Sequence, residues 1–306
     1  MTTKYRISTI TATASLNTEI NLDLLYQSLK PICEQGTNLL PEDEGIVYIE
    51  FGKKKVDTIY KGISTSRSLN NDKNNNNKIK IKRFDNQVTI VYKANINGIK
   101  SMMNTKIFKN GNIQMTGIRD IDQGRQMVDN IANMIRTIYN NGETSVVLNI
   151  NTLVPDKYML RLINSDFKIG YEIRREKLYN ILCDTYMSCC SYEPCIYPAV
   201  KIKYYYNQDN ARCDGNCYCS KKCIIGKSTG CGDTMCKKVT IAVFQSGCII
   251  ITGGQNILQV DEAYRFINRV LLESDDQVKR KIINVYENKH VIQKFMIKTE
   301  NIRGKV

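Results

Sequence analysis

Thr105–Gly117 reads TKIFKNGNIQMTG and Ile241–Gly253 reads IAVFQSGCIIITG. The two stretches align without a gap, matching at Phe108/Phe244, Gly111/Gly247, Ile113/Ile249, Thr116/Thr252 and Gly117/Gly253. Each reads as a strand, a turn at Asn110-Gly111 or Ser246-Gly247, and a second strand, the pattern of a β-hairpin whose glycine supplies φ > 0. A chain that repeats itself at this spacing folds as two copies of one unit.

Working outward, both hairpins are followed by helical periodicity, through Val128, Ile131, Ile135 and Ile138 in one copy and Ala263, Phe266, Ile267, Val270 and Leu271 in the other. Upstream, Lys4-Tyr5-Arg6-Ile7 resembles Lys157-Tyr158-Met159-Leu160, and each opens a strand-like stretch followed by a helix. The first of these helices carries Leu22, Leu25 and Leu29 and stops near Pro31; the second runs from about Arg174 through Leu178 and Leu182. The expected organisation is a first repeat over residues 1–150, a second over 151–273 and a charged C-terminal extension over 274–306. Residues 53–80 include SLNNDKNNNNK, a low-complexity insertion too polar to pack, while 207–236 form a cysteine-rich insertion in the second repeat.

If each turn is a three-residue loop centred on its glycine, alternation puts Ile107, Ile113 and Met115 on one face, matched by Val243, Ile249 and Ile251. That apolar face should pack under the helices. The other face carries Lys106, Phe108, Gln114 and Thr116, matched by Ala242, Phe244, Ile250 and Thr252. Phenylalanine beside lysine, glutamine and threonine either fills a second small core or belongs to a used surface, and its recurrence in both halves favours the surface.

The 306 residues carry a net charge of +14 and a pI near 9.2, which suits a polyanionic partner such as nucleic acid or an anionic membrane surface. No run is long and apolar enough for a transmembrane helix. The N-terminal MTTKYRISTITATA lacks the apolar stretch of a secretory signal, so the expectation is a protein that is not secreted and keeps its thiols reduced. The single histidine, His290, leaves no material for a histidine-based triad or metal cage within the chain, and no P-loop or HExxH motif occurs. An enzyme is not expected, nor a small-molecule substrate.

A bare sheet face mixing aromatic wedges with small polar residues suits the DNA minor groove, whose base steps inserted apolar side chains can unstack. At this point the residues resemble the TATA-box-binding proteins. That family is built from two strand–helix–strands–helix units, each with an I/V-F-x-S-G-K-x-V-x-T-G hairpin before its long helix. KIFKNGNIQMTG (Lys106–Gly117) and AVFQSGCIIITGG (Ala242–Gly254) are similar to those hairpins, and SYEPCIYPAVKIKY (Ser191–Tyr204) is similar to the family's SYEPELFPGLIYR. The resemblance implies an α+β fold, two pseudo-symmetric repeats forming a saddle of antiparallel sheet with helices on the convex side, and it implies DNA bending through the minor groove.

Residue by residue, Phe108 and Phe244 match the hairpin wedges, and Tyr197 takes the place of the second repeat's other wedge. Its first-half counterpart is either Phe84, in Lys82-Arg83-Phe84, or a residue of the GIVYIEF strand from Gly45; Phe84 is the choice adopted. Thr116 and Thr252 match threonines that reach the central base pairs. Ile7, Leu160 and Ile250 match groove-lining valines, Tyr5 and Tyr158 align with paired asparagines that donate at the centre of the site, and Lys203 sits where a phosphate-contacting arginine is found. Glu193 matches an acid that contacts the B-type general initiation factor, with Cys195 replacing a second acid and Ile196 beside it. Lys106, Gln114, Tyr5 and Tyr158 depart from the family pattern and put recognition of a standard TATA sequence in doubt.

Cys213, Cys217, Cys219, Cys223, Cys231 and Cys236 follow the pattern C-x3-C-x-C-x3-C-x7-C-x4-C. Four thiolates suffice for tetrahedral zinc, but no CxxC knuckle occurs, so structural zinc and a loop of free thiols both stand. Cys183, Cys189, Cys190 and Cys195 read as packing residues. The leading expectation is a general transcription initiation factor acting on AT-rich promoter duplex with the RNA polymerase machinery, requiring no cofactor, with structural zinc one of the two readings of the cysteine insertion. The asparagine-, isoleucine- and lysine-rich usage and long insertions resemble versions from large DNA viruses, which implies the nucleus, a cytoplasmic viral factory or the virion. Two alternatives remain: a protein-interaction scaffold of the same fold with lost or altered DNA specificity, and a redox or metal-transfer protein built on the cysteine insertion.

Overall fold

A computed structural model describes residues 3–32, 39–40, 43–52, 59–62, 86–96, 98–223 and 228–280. The first half runs β1 (Arg6–Ser15), α1 (Leu22–Ser28), β2 (Gly45–Gly52), β3 (Ile59–Gly62), β4 (Gln87–Ile96), β5 (Ile99–Phe108), β6 (Asn112–Ile118) and α2 (Ile121–Asn140). After two 3₁₀ turns the second half runs β7 (Asp156–Lys168), α3 (Arg175–Asp184), β8 (Cys190–Ser191), β9 (Ala199–Tyr206), β10 (Lys237–Phe244), β11 (Cys248–Gly254), α4 (Ile257–Glu273) and the single-turn α5 (Asp275–Val278). Most of the low-complexity insertion, Phe84, His290 and the extension beyond Arg280 lie outside the described residues.

All eleven described strands join one antiparallel sheet in the order β3-β2-β4-β5-β6-β1-β7-β11-β10-β9-β8. Read outward from the β1–β7 seam the two halves mirror each other: β6 answers β11, β5 answers β10, and β4 answers β9. The α+β class expected from the sequence is the class observed.

The helices take one face. Ile107, Ile113 and Met115 in one hairpin and Val243, Ile249 and Ile251 in the other are buried as alternation required, beneath Val128, Ile131 and Ile135 of α2 and Phe266, Ile267 and Val270 of α4. Both long helices start in the same way. Asp120 and Asn256 accept backbone N–H bonds from Asp122 and Gln259. The wholly buried amides of Gln123 and Gln259 reach back to accept from the backbone of Arg119 and Gln255, at 3.2 and 2.8 Å. These are variants of the capping box, and they satisfy donors that a buried helix start would otherwise orphan.

Both hairpin turns place glycine in the left-handed region, at φ 76° for Gly111 and 75° for Gly247. A Cβ there would also collide with a carbonyl oxygen, of Thr18 in one half and Tyr171 in the other, so only glycine fits.

Candidate nucleic-acid interface

The face away from the helices is set by register. In the first half, Lys106 pairs with Gln114 and Asn104 with Thr116 across β5–β6. In the second, Ala242 pairs with Ile250 and Thr240 with Thr252 across β10–β11. Phe108 and Phe244 stand half-buried at the ends of β5 and β10 beside their turns. Phe244 packs obliquely on Tyr197, with ring centroids 5.8 Å apart, and the Lys201 ammonium lies 3.9 Å from the Tyr197 ring centre. Phe108 sits opposite Gln87. Lys203, exposed, pairs with Thr240 and lies on this face beside Lys201.

The turn before β9 is closed by bonds from the Ile196 and Tyr197 amides to the Glu193 carbonyl, at 3.0 and 2.9 Å. Arg175 supports it from behind, donating to the Pro198 carbonyl at 2.5 Å and lying over the Tyr192 ring. Glu193, Cys195 and Ile196 all project as exposed side chains, Ile196 at 79%.

Four residues expected on the open face lie elsewhere. Ile7 is in register with buried Ser165, and Leu160 with buried Ala12; both pack against the core on the helix side. The Tyr5 hydroxyl donates to Asp261 of α4 at 2.6 Å, its ring edge-on to Tyr264. The Tyr158 hydroxyl donates to the Ile121 carbonyl at the start of α2, in a notch where Gly124 has no Cβ to block it. Burial is the main cause that raises both phenols above the ordinary tyrosine range, Tyr158 to about 12, with the Asp261 carboxylate adding to the rise at Tyr5. The physical reason is a parity change. Bulges between Ile7 and Thr9 and between Thr11 and Ala12 in the β1–β7 ladder reverse which residues face the helices.

The open-face positions of the seam therefore go to Thr9, Thr11 and Thr13 of β1 and to Leu162, Asn164 and Asp166 of β7. Asp166 accepts from Ser8 at 2.5 Å and forms an ion pair with Arg6 at 3.0 Å. The Arg161 guanidinium donates to Thr13 at 2.9 Å. The alternation of threonine with aliphatic residues in STITATAS was the available signal for this row. Phe84 lies outside the described residues, but β4, the strand after it, holds the place that β9 holds after Tyr197. The competing GIVYIEF strand is β2, and its Phe51 is buried against Tyr26.

Of the six clustered cysteines, the structure gathers four. The sulfurs of Cys217, Cys219, Cys223 and Cys236 lie within 4.8 Å of one another, a set able to hold a metal ion. Cys213 and Cys231 stand apart, their sulfurs directed to the Asn210 carbonyl and the Asp209 carboxylate. Of the six candidates, Cys217, Cys219, Cys223 and Cys236 are the four the structure brings together. Burial raises the Cys236 thiol well above its ordinary range. At Cys217, burial opposes ionisation but is outweighed by hydrogen bonds from the Cys219 backbone and neighbouring thiols, so that thiol falls below it.

The fold and this face define a two-repeat α+β protein with one side of its sheet closed by helices; on the other side the two hairpins and the seam are open among the described residues, while Val47, Tyr48 and Val91 of β2 and β4 are buried beneath Leu39. No protein-family profile matches the chain. A curated protein of Acanthamoeba polyphaga mimivirus, described as "TATA-box-binding protein-like", is 30% identical over 289 residues, covering 90% of this chain and 66% of that protein. Among solved structures, Methanococcus jannaschii TBP is matched with a TM-score of 0.45 and 14% identity, over 89% of this chain and 99% of that one. The chain belongs to the TATA-box-binding-protein-like family. No described helix is long and apolar enough to cross a membrane.

Proposed function

We propose that the open face binds double-stranded DNA from the minor-groove side and bends it, as a promoter-recognition step in transcription initiation. The observation that carries this reading is the pair Phe108 and Phe244, set at equivalent hairpin ends on either side of the seam, half-exposed on a face that otherwise mixes threonines and lysines with Gln114, Leu162, Ile250 and Asp166. Their rings, with Tyr197 beside Phe244, unstack base steps at the two ends of the site, and Phe84 is the corresponding fourth wedge. Thr116, Thr252 and Ile250 meet base edges, where a groove of few donors favours AT-rich sequence. Lys203 and Lys201 neutralise phosphates. The exposed turn of Glu193, Cys195 and Ile196 receives a B-type initiation factor, through which the polymerase machinery is recruited. The activity is binding rather than catalysis, exercised in the nucleus or a viral factory.

A second reading is supported by the Arg6–Asp166 ion pair and by Lys106 and Gln114: a carboxylate and polar groups on the face favour altered sequence preference or a scaffold role. One experiment separates the two. Energy-transfer bending of end-labelled AT-rich and GC-rich duplexes over a salt series should give a bend on AT-rich DNA with a steep salt slope, lost in Phe108→Ala/Phe244→Ala. Absence of binding or bending to either duplex near physiological salt sinks the DNA reading and leaves the scaffold.

A further inference from the structure

The geometry points to a defined tetrathiolate zinc site, Cys217, Cys219, Cys223 and Cys236, which clasps the 207–236 insertion onto the outer side of the second repeat. This is our own proposal, and it stands apart from the DNA reading. The sulfur separations are 3.4 Å for Cys217–Cys223, 3.4 Å for Cys219–Cys236, 3.6 Å for Cys223–Cys219 and 3.7 Å for Cys236–Cys217. Four sulfurs at about 2.3 Å from one zinc in a tetrahedron stand roughly 3.8 Å apart, close to what is seen. Two disulfides would instead make two contacts much shorter than the others, whereas here the pairs and the cross-pairs differ by only a few tenths of an ångström.

The surroundings fit a closed structural site. The Asn207 amide reaches the Cys236 sulfur at 3.5 Å and the Gly232 carbonyl at 2.9 Å, the kind of outer hydrogen bond that orients a thiolate ligand. Lys221 and Lys222, between the second and third ligands, offset the negative charge of four thiolates on one divalent ion. All four ligands are thiolates, a soft set that selects zinc or iron–sulfur chemistry over hard cations.

The insertion also needs such a staple. Its described residues contain no helix or strand, and Cys236 is their one buried apolar side chain. A segment with so little buried area does not hold a shape by itself. Yet it makes ordered contacts with its neighbours. The Tyr205 amide bonds the Gly215 carbonyl at 2.9 Å, Asn216 bonds the Tyr186 carbonyl after α3, and Arg269 of α4 bonds the Cys213 carbonyl. The metal fixes the loop that makes these bonds. Because Tyr206 and Lys237 are already paired as the last residues of β9 and the first of β10, the clasp closes the loop without being needed to align the hairpin.

The test is elemental analysis of the full chain purified under reducing conditions, with cobalt replacement and hydrogen exchange. We expect one zinc per chain, lost in Cys→Ser variants at 217, 219, 223 and 236 and kept in Cys213→Ser and Cys231→Ser. Cobalt(II) in the unmutated chain should give the intense thiolate charge-transfer and tetrahedral d–d bands of an S4 site, a readout that does not depend on whether a variant folds. Chelation should raise amide exchange in 207–236 and leave the β1–β7 seam protected. A metal-free chain, bound iron, an intact mass showing two disulfides, or equal zinc loss on replacing Cys213 or Cys231 overturns the site; unchanged exchange after chelation overturns the clasp.

Discussion

The hairpins β5–β6 and β10–β11 have one backbone and two surfaces. Their turns share a left-handed glycine wedged under a carbonyl, and their helix-side residues are buried alike. Their open sides differ: Lys106 and Gln114 occupy the places of Ala242 and Ile250. Close packing constrains the hidden side, where a single methylene is felt, while no described helix packs on the open side of either hairpin. The halves are thus alike where they hold the fold and unlike where they would meet a ligand.

The likeness on the hidden side gives the largest expected effect. Met115→Ala and Ile251→Ala should each cost about 2–5 kcal/mol in denaturant unfolding, within error of each other; a clear inequality would break the equivalence of the two cores. Next comes the pair of wedges. Phe108→Ala and Phe244→Ala should each remove the kink at one end, and together weaken AT-rich duplex on the order of 100-fold, about 2.7 kcal/mol. If one variant alone abolishes the bend, the two ends are not equivalent. The unlikeness on the open side is probed by Lys106→Ala with Gln114→Ile, which makes the first hairpin resemble the second. The slope of log affinity against log salt should fall by about 1 if Lys106 meets phosphate, and an unchanged slope places that lysine away from the backbone of the duplex.

The smallest effect concerns alkaline stability. The folded state holds Tyr158 as the neutral phenol, with its pKa raised from 10.0 to about 12 by burial. Its contribution is therefore complete below pH 10 and is lost as pH rises from 10 towards 12. Tyr158→Phe should flatten the stability profile in that window while leaving neutral-pH stability lower only by the lost bond to the Ile121 carbonyl, about 1 kcal/mol. An unaltered alkaline limb would show that other groups govern it.

Much of this was legible from the chain. Alternation on either side of the turns placed each hairpin residue on its face because the pleat has period two, although the loops centre on Asn110 and Ser246, one residue before the glycines expected at their centres. Spacing of Val128, Ile131 and Ile135 likewise placed α2 over the sheet. The seam was less legible. Tyr5, Ile7, Tyr158 and Leu160 align with groove-facing positions but face the helices, because similarity of segments carries no information on bulges, and one bulge exchanges the faces of everything before it. The place of the Asp166 carboxylate is hidden in the sequence for the same reason, since it follows only from pairing with Arg6 and Ile250. Among the cysteines, spacing supplied six candidates for a four-ligand site, and only the return of the chain at Cys236 to the Cys217–Cys223 segment selects among them.

The tyrosine anchors cross the seam. Tyr5, from the first half, is held by α4 of the second; Tyr158, from the second, is held by α2 of the first. Each half therefore carries the plug for the other's socket. Severed between α2 and β7, either fragment would leave its long helix without its tyrosine partner and expose the bonding edge of its seam strand, the kind of edge that recruits a partner strand. The two pieces would then behave as a split protein, restoring the sheet by complementation when mixed, and the covalent link between them serves to raise local concentration rather than to specify how they fit.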